Sequence, residues 1–212
     1  MSNEYLDLIS LEPMKRVIKD KGLKLGYVSE RAGLIPNRLS CMLNSGLSLP
    51  KTDTVAKVCA VLGVPVSAVI EFKGISVNEY FVGKELSYVP PKEIKGEMTY
   101  KPLWNFLEKY NEERRNDGLS ERSANDLFDQ IEPNGRKKGL GISAANREKG
   151  QVALGWGEGY EPKILRSRKS VKRGLTQETR TKLRNDRPLN LRVVYDICAL
   201  LHCPVDWVLS YK

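Results

Sequence analysis

The 212-residue chain contains one histidine, His202, and four cysteines, Cys41, Cys59, Cys198 and Cys203, none of them in a CxxC pair. Unpaired cysteines predict a reducing cytoplasm rather than a disulfide scaffold. Cys198, His202 and Cys203 crowd together in sequence, but no second ligand pair has zinc spacing. Cys198 also has a counterpart, Cys59, on an apolar helix face, where a small thiol belongs in a core. No metal and no cofactor are expected. The sequence offers no Ser/His/Asp or Cys/His set for nucleophilic catalysis. The glycine-rich GWGEGYEP (155–162) follows no strand and carries no phosphate-binding lysine, so it reads as a loop. The acidic Asp126, Asp129 and Glu132 of NDLFDQIE read as the wet side of a helix whose other side carries Leu127, Phe128 and Ile131. An enzyme is therefore not expected. No apolar run approaches the ~20 residues of a membrane span. The opening MSNEYLDLIS lacks the basic stretch and apolar core of a signal peptide. No membrane association is expected.

Positive charge, by contrast, is abundant. Lys and Arg number 35 against 26 Asp and Glu, giving a formal net charge of +9 and a pI near 9.3. Hydrophobic residues make up 41% and mean hydropathy is −0.41, values of a folded, soluble-type chain. Such a basic balance favours an anionic partner, nucleic acid before others. The charge is unevenly spread. Residues 11–73 hold 10 basic against 5 acidic side chains, residues 74–132 hold 8 against 12, and residues 133–173 hold 11 against 3.

The chain also repeats itself. TVAKVCAVLGVPVSAVIEFK (54–73) aligns without a gap to VVYDICALLHCPVDWVLSYK (193–212), with Val55/Val194, Cys59/Cys198, Ala60/Ala199, Leu62/Leu201, Pro65/Pro204, Val66/Val205, Val69/Val208 and Lys73/Lys212 identical. Upstream, GLIPNRLSCMLNS (33–45) faces GLTQETRTKLRND (174–186), and PMKRVIKDKG (13–22) resembles PLWNFLEKYN (102–111), each a helix opened by proline. Helical spacing in the first copy predicts a helix around Met14, Val17 and Ile18 and a second over Leu25–Ala32 that stops at Gly33. It predicts a third over Pro36–Asn44, a fourth from Thr52 with Val55, Val58, Cys59 and Leu62 on one face, and a fifth from Pro65 that buries Val66, Val69 and Ile70.

Two helices joined by a tight glycine-containing turn form a helix-turn-helix. With LGYVSERAGLIPNRLSCMLNS followed by VAKVCAVLGVPVSAVI, residues 11–73 resemble the Cro/repressor (XRE) family of DNA-binding domains. The second copy is similar through GLTQETRTKLRND and VVYDICALLHCPVDWVL. The resemblance implies a mainly α fold. Two five-helix helix-turn-helix domains, residues 1–73 and 100–212, would form an internal pseudo-dimer in one chain. The stretch between them, 74–99, is expected to carry short strands around Ile75, Val77, Tyr80 and Val82. An insertion at about 112–160 is expected in the second domain, with EPKILRSRKSVKRG (161–174) as its helix two and Ile164 and Val171 turned inward.

In that family the third helix lies in the major groove, so its outer face is polar by need. The resemblance assigns base reading to Asn37, Arg38 and Cys41 in the first copy and to Thr176, Gln177, Glu178 and Lys182 in the second, Thr176 also standing at the helix start as its N-cap. Lys24, Ser40 and Asn44 fall to the DNA backbone in the first copy, and Arg184, Asn185, Arg187 and Arg192 in the second. Pro36 stands where the family often has a polar reader, so the first copy is expected to read fewer bases. The basic turns GRKKGLG and REKG of the insert are candidate phosphate contacts. Three functions fit. One is a transcriptional repressor of a mobile-element or phage operon. Another is a conjugative-transfer (relaxosome) accessory protein, an arrangement similar to that of Gram-positive mobile elements. The third is an antitoxin-like interaction module without DNA, which the basic charge disfavours. The partners implied are double-stranded DNA and proteins of the transcription or conjugation machinery.

Overall fold

A strand, four helices, a 3₁₀ turn and a closing strand occur twice along the chain. The computed structural model describes residues 4–45, 49–78, 81, 96–131 and 174–211 and is mainly helical. A short helix α1 (Glu4–Leu8) leads into β1 (Ile9–Ser10), α2 (Glu12–Asp20), α3 (Leu25–Arg31), α4 (Arg38–Ser45), α5 (Thr52–Leu62), a 3₁₀ turn at Val66–Ala68 and β2 (Glu71–Phe72). The second unit runs β3 (Met98–Thr99), α6 (Lys101–Asn116), α7 (Ala124–Gln130), α8 (Gln177–Arg184), α9 (Leu191–Leu201), a 3₁₀ turn at Val205–Trp207 and β4 (Ser210–Tyr211). Each unit closes by pairing its two strands antiparallel, Ile9 with Phe72 and Met98 with Tyr211.

Local chemistry accounts for most boundaries. Pro13 and Pro102 sit in the first turns of α2 and α6, where a missing N–H costs nothing. Met14 and Ile18 in α2, and Leu103, Phe106 and Leu107 in α6, make the buried stripe. Helix α5 buries Val55, Val58, Cys59 and Leu62, and α9 buries Val194, Ile197, Cys198 and Leu201. Burial pushes both the Cys59 and Cys198 thiols well up from their ordinary range, so they behave as small apolar groups.

Four expectations change. The fifth helix of each copy is a three-residue 3₁₀ turn, because a short strand begins within a few residues of it. The third helix of the first copy starts at Arg38 rather than Pro36, since Asn37 adopts φ 65°. Among the described residues the short strands belong to the two units. Residues 75–78 are irregular, Met98–Thr99 pairs with β4, and Tyr80 and Val82 lie outside the described residues.

Finally, residues 161–173, expected as helix two, lie outside the described residues, and among the described residues the helix that holds α8 from behind is α7. Its Leu127 and Phe128 are fully buried, and a Ser123–Asp126 capping box starts it. Helix α6 runs on to Asn116, so residues 112–130 belong to the unit; the sequence added relative to the first copy is split between a longer α6 with its following loop and residues 132–173. Ile164 and Val171 lie outside the described residues, as do Glu132, the GRKKGLG and REKG turns and the 155–162 loop.

The two units share one apolar core. At their junction, equivalent positions meet. Lys51 bridges Asn190, and the Ser67 amide donates to the Asp206 carboxylate at 3.0 Å, both pairs 139 positions apart. Residue facing its own equivalent is the signature of a twofold interface. Each closing aromatic crosses to the other unit. Phe72 packs edge-on against Tyr195, and the Tyr211 hydroxyl donates to the carbonyls of Cys59 and Val64. The connecting stretch is pinned as well. The Asn78 amide donates to the His202 carbonyl, and Phe81 packs against Phe106 and Trp207.

Thr52 lies at the centre of this junction, fully buried. Its hydroxyl accepts the Leu189 amide at 3.0 Å and lies 3.0 Å from both the Tyr100 hydroxyl and the Met98 sulfur. Thr52→Val keeps the shape and orphans those groups, so a loss of about 2 kcal/mol in urea unfolding is expected. A loss below ~0.5 kcal/mol would show that the hydroxyl does not hold the units together.

Asp206 is mostly buried, and desolvation raises its pKa, only partly offset by the Ser67 hydrogen bonds. A raised carboxyl favours the folded state below its unfolded pKa and loses that advantage as pH rises through the folded value. Asp206→Asn is therefore expected to unfold at a higher temperature than the parent at pH 7, and the difference should shrink on acidification. A variant less stable at pH 7 would show that the ionised carboxylate is needed.

Candidate nucleic-acid interface

Helix α4 has two faces. Leu39, Met42 and Leu43 are buried, while Arg38, Cys41 and Asn44 are exposed at three-residue spacing. Leu39 is anchored from below, where its amide donates to the buried Ser29 hydroxyl of α3 at 3.3 Å. Ser40 is half-buried and accepts from the Asn44 amide at 3.3 Å. Asn37 is exposed just before the helix, and Lys24 is exposed just before α3. Arg38 and Cys41 thus share one edge that Asn44 extends, and Asn37 is exposed in the turn before it.

Helix α8 is the polar stretch of the second copy. Thr176 is its N-cap, accepting the Thr179 amide at 3.2 Å. Gln177, Glu178, Thr181, Arg184, Asn185 and Arg187 are exposed. Lys182 is half-buried and reaches back to Glu178 at 2.6 Å, and this hydrogen bond and charge lower the Glu178 pKa. An exposed pair four residues apart is weakly held and exchanges readily for a ligand. Arg184 donates to Asn125 of α7 at 3.2 Å. Arg192 is half-buried at the start of α9, its amide donating to the Asn190 side chain at 3.0 Å.

Both helices are tied to the preceding helix by an equivalent amide–carbonyl bond, five positions apart in the first unit and 47 in the second. The Leu34 amide donates to the Ser29 carbonyl, and the Leu175 amide to the Phe128 carbonyl, each at 2.9 Å. Gly33 and Gly174 precede these residues with φ 62° and 83°. The break that admits residues 132–173 therefore falls inside the turn, immediately before Gly174.

Two further residues, Arg180 and Asp186, hold α8 in place. Arg180 stands where the first copy has Leu39 and is only 9% exposed. It donates to the Leu175 carbonyl at 2.9 Å, to Asn125 at 3.3 Å and to the Asp129 carboxylate, with its guanidinium 5.9 Å from the Phe128 ring centre. The signal was present, since an arginine at an apolar position of a repeat predicts a buried partner. Asp186, at φ 49°, accepts from the Tyr100 amide at 2.7 Å and the Thr99 hydroxyl at 2.9 Å, and so ties the end of α8 to the start of α6.

Among the described residues no three His, Cys, Asp or Glu side chains are grouped to hold a metal, and no helix is long and apolar enough to cross a membrane. Comparison with known protein families, with curated proteins and with solved structures yields no match.

Proposed function

We propose that the chain is a sequence-specific double-stranded DNA-binding protein that presents α4 and α8 as two recognition helices, with its two units acting as an internal dimer. The observation that carries this reading is a duplicated joint. Twice, a helix with a buried apolar face and an exposed polar edge follows a positive-φ glycine and is tied to the preceding helix by the same amide–carbonyl bond. A polar edge of that kind, on a helix held from behind, suits base edges and phosphates in a major groove. The surplus of 35 basic over 26 acidic side chains supports an anionic ligand. The two edges differ in chemistry, so the target is an asymmetric pair of half-sites about one helical turn apart. Occlusion of a promoter by a cytoplasmic repressor is the simplest use of such a reader. It needs no cofactor and no catalysis.

Selection from random duplex DNA, followed by salt titration, tests the reading. Two different half-sites one turn apart, with affinity falling steeply as salt rises, is the expected result. No enrichment and no salt dependence would sink it. On the selected site, Gln177→Ala and Lys182→Ala are each expected to lose about 1–3 kcal/mol of specific binding, whereas Arg187→Ala weakens specific and random DNA alike. Equal losses on both DNAs for Lys182→Ala would remove it from the base-reading set.

A further inference from the structure

The two candidate recognition helices begin differently. The second starts with a hydrogen-bonded cap, Thr176, followed by Gln177. The first is preceded by a reversal over Ile35, Pro36, Asn37 and Arg38. The Arg38 amide donates to the Ile35 carbonyl at 2.9 Å, and Asn37 has φ 65°. Proline second and a left-handed asparagine third define a type II turn. The Cys41 amide then donates to the Asn37 carbonyl at 2.8 Å and carries the turn into α4.

This turn holds Ile35 out in solvent, 76% exposed. A lone exposed isoleucine is ordinary on a protein surface. This one is not placed at random. It occupies the position equivalent to the Thr176 cap, at the leading end of a helix whose edge carries Arg38 and Cys41. Its backbone is fixed by the turn and its branched side chain is stiff, so little freedom is lost on contact. Of the exposed side chains that follow it, only the neighbouring Pro36 is apolar, and Asn37 and Arg38 are polar or cationic, which suits a small apolar feature on a polyanion better than a broad apolar protein face.

We propose that Ile35 is a specificity residue that packs against the 5-methyl group of thymine in the half-site facing α4. The proposal rests on the DNA-binding reading. Thymine alone of the four bases shows a methyl group in the major groove. Ile35 would then add a methyl contact to the reading by Asn37 and Arg38, with Cys41 extending the apolar contact.

The experiment replaces each thymine of the selected duplex, one at a time, by deoxyuridine, which removes the methyl and keeps every hydrogen-bonding group. The parent protein is expected to bind about fourfold more weakly at one or two positions, all in one half-site, the worth of one buried methyl. Ile35→Ser is expected to lose a similar factor on thymine DNA, to become indifferent to the uracil exchange at those positions, and to melt as the parent does. Specific binding that no uracil exchange alters would overturn the contact while leaving the DNA reading standing. So would an Ile35→Ser protein that keeps its sensitivity. If no site is selected at all, the DNA reading falls and this contact falls with it.

Discussion

Gly174→Ala is expected to lower the stability of the chain by on the order of 3 kcal/mol, whereas Gly33→Ala at the equivalent position costs about 1 kcal/mol. Both glycines hold positive φ, 83° and 62°, so an alanine at either one incurs the left-handed penalty. They differ in what surrounds them. A Cβ on Gly33 meets nothing within 4 Å, while a Cβ on Gly174 overlaps the Phe128 carbonyl and comes within 2.6 Å of the Asp129 Cα. These are backbone atoms of α7 and cannot swing aside. The variant must therefore push α8 away from α7 or twist the turn, and either movement breaks the bond from the Leu175 amide to Phe128. Urea unfolding of both alanine variants checks the contrast. Equal losses would mean that the turn of the second unit is looser than its packing implies. Since α8 carries Gln177 and Lys182, the damaged joint is also expected to weaken specific DNA binding before the protein unfolds.

The contrast between these glycines shows how far sequence could be read. The repeat aligned Gly33 with Gly174 and Thr176 with a helix start, and the cap forms as expected. The helix four stripes were plain because Val55, Cys59 and Leu62 recur at helical spacing and are echoed by Val194, Cys198 and Leu201. Helix two of the second unit was not plain. NDLFDQIE reads as a helix with Leu127, Phe128 and Ile131 inward, and α7 forms there, but nothing local marks it as the partner of α8. Its partner across the break is Gly174, 44 residues beyond Gln130, so no local pattern joins the two halves of the turn. The start of α4 was missed for a different reason. Pro36 is as good at a helix start as inside a type II turn, and only the left-handed Asn37 decides between them. The same ambiguity hid Ile35, which a helix beginning at Pro36 would have placed at its cap.

The junction was legible only in outline. Matching sequences predict matching units, but which residues face one another depends on packing. Lys51 with Asn190 and Ser67 with Asp206 have unrelated side chains, and nothing in either residue type announces the pairing. The crossing aromatics Phe72 and Tyr211 are aligned in the repeat, yet they work differently. One packs against a ring and the other donates hydrogen bonds to backbone. A symmetric ancestor diverging under one shared core would leave this mixture, with positions kept and chemistry changed.

The last consequence concerns Arg180, the one residue of α8 that is basic and turned inward. Arg180→Ala is expected to cost about 3 kcal/mol. It removes donors to the Leu175 carbonyl and Asn125 and the ion pair with Asp129, and it empties the space beside Phe128. The ion pair contributes little of this, because the Asp129 side chain is 61% exposed and its charge is screened. Arg180→Leu, which copies Leu39 of the first unit, refills that space and leaves Asn125 and Asp129 free to take up water. A residual loss of about 1 kcal/mol is therefore expected. The two variants separate a structural clamp from a phosphate contact. A folded Arg180→Leu protein should bind its selected DNA within about twofold of the parent, and with the same salt slope, because the guanidinium faces α7 and not the exposed edge. If Arg180→Leu folds well yet loses affinity on specific and random DNA alike, with a shallower salt slope, Arg180 would belong with Arg187 among the phosphate contacts. The clamp would then have to be sought in Asp186, whose bonds to Thr99 and Tyr100 fix the other end of the same helix.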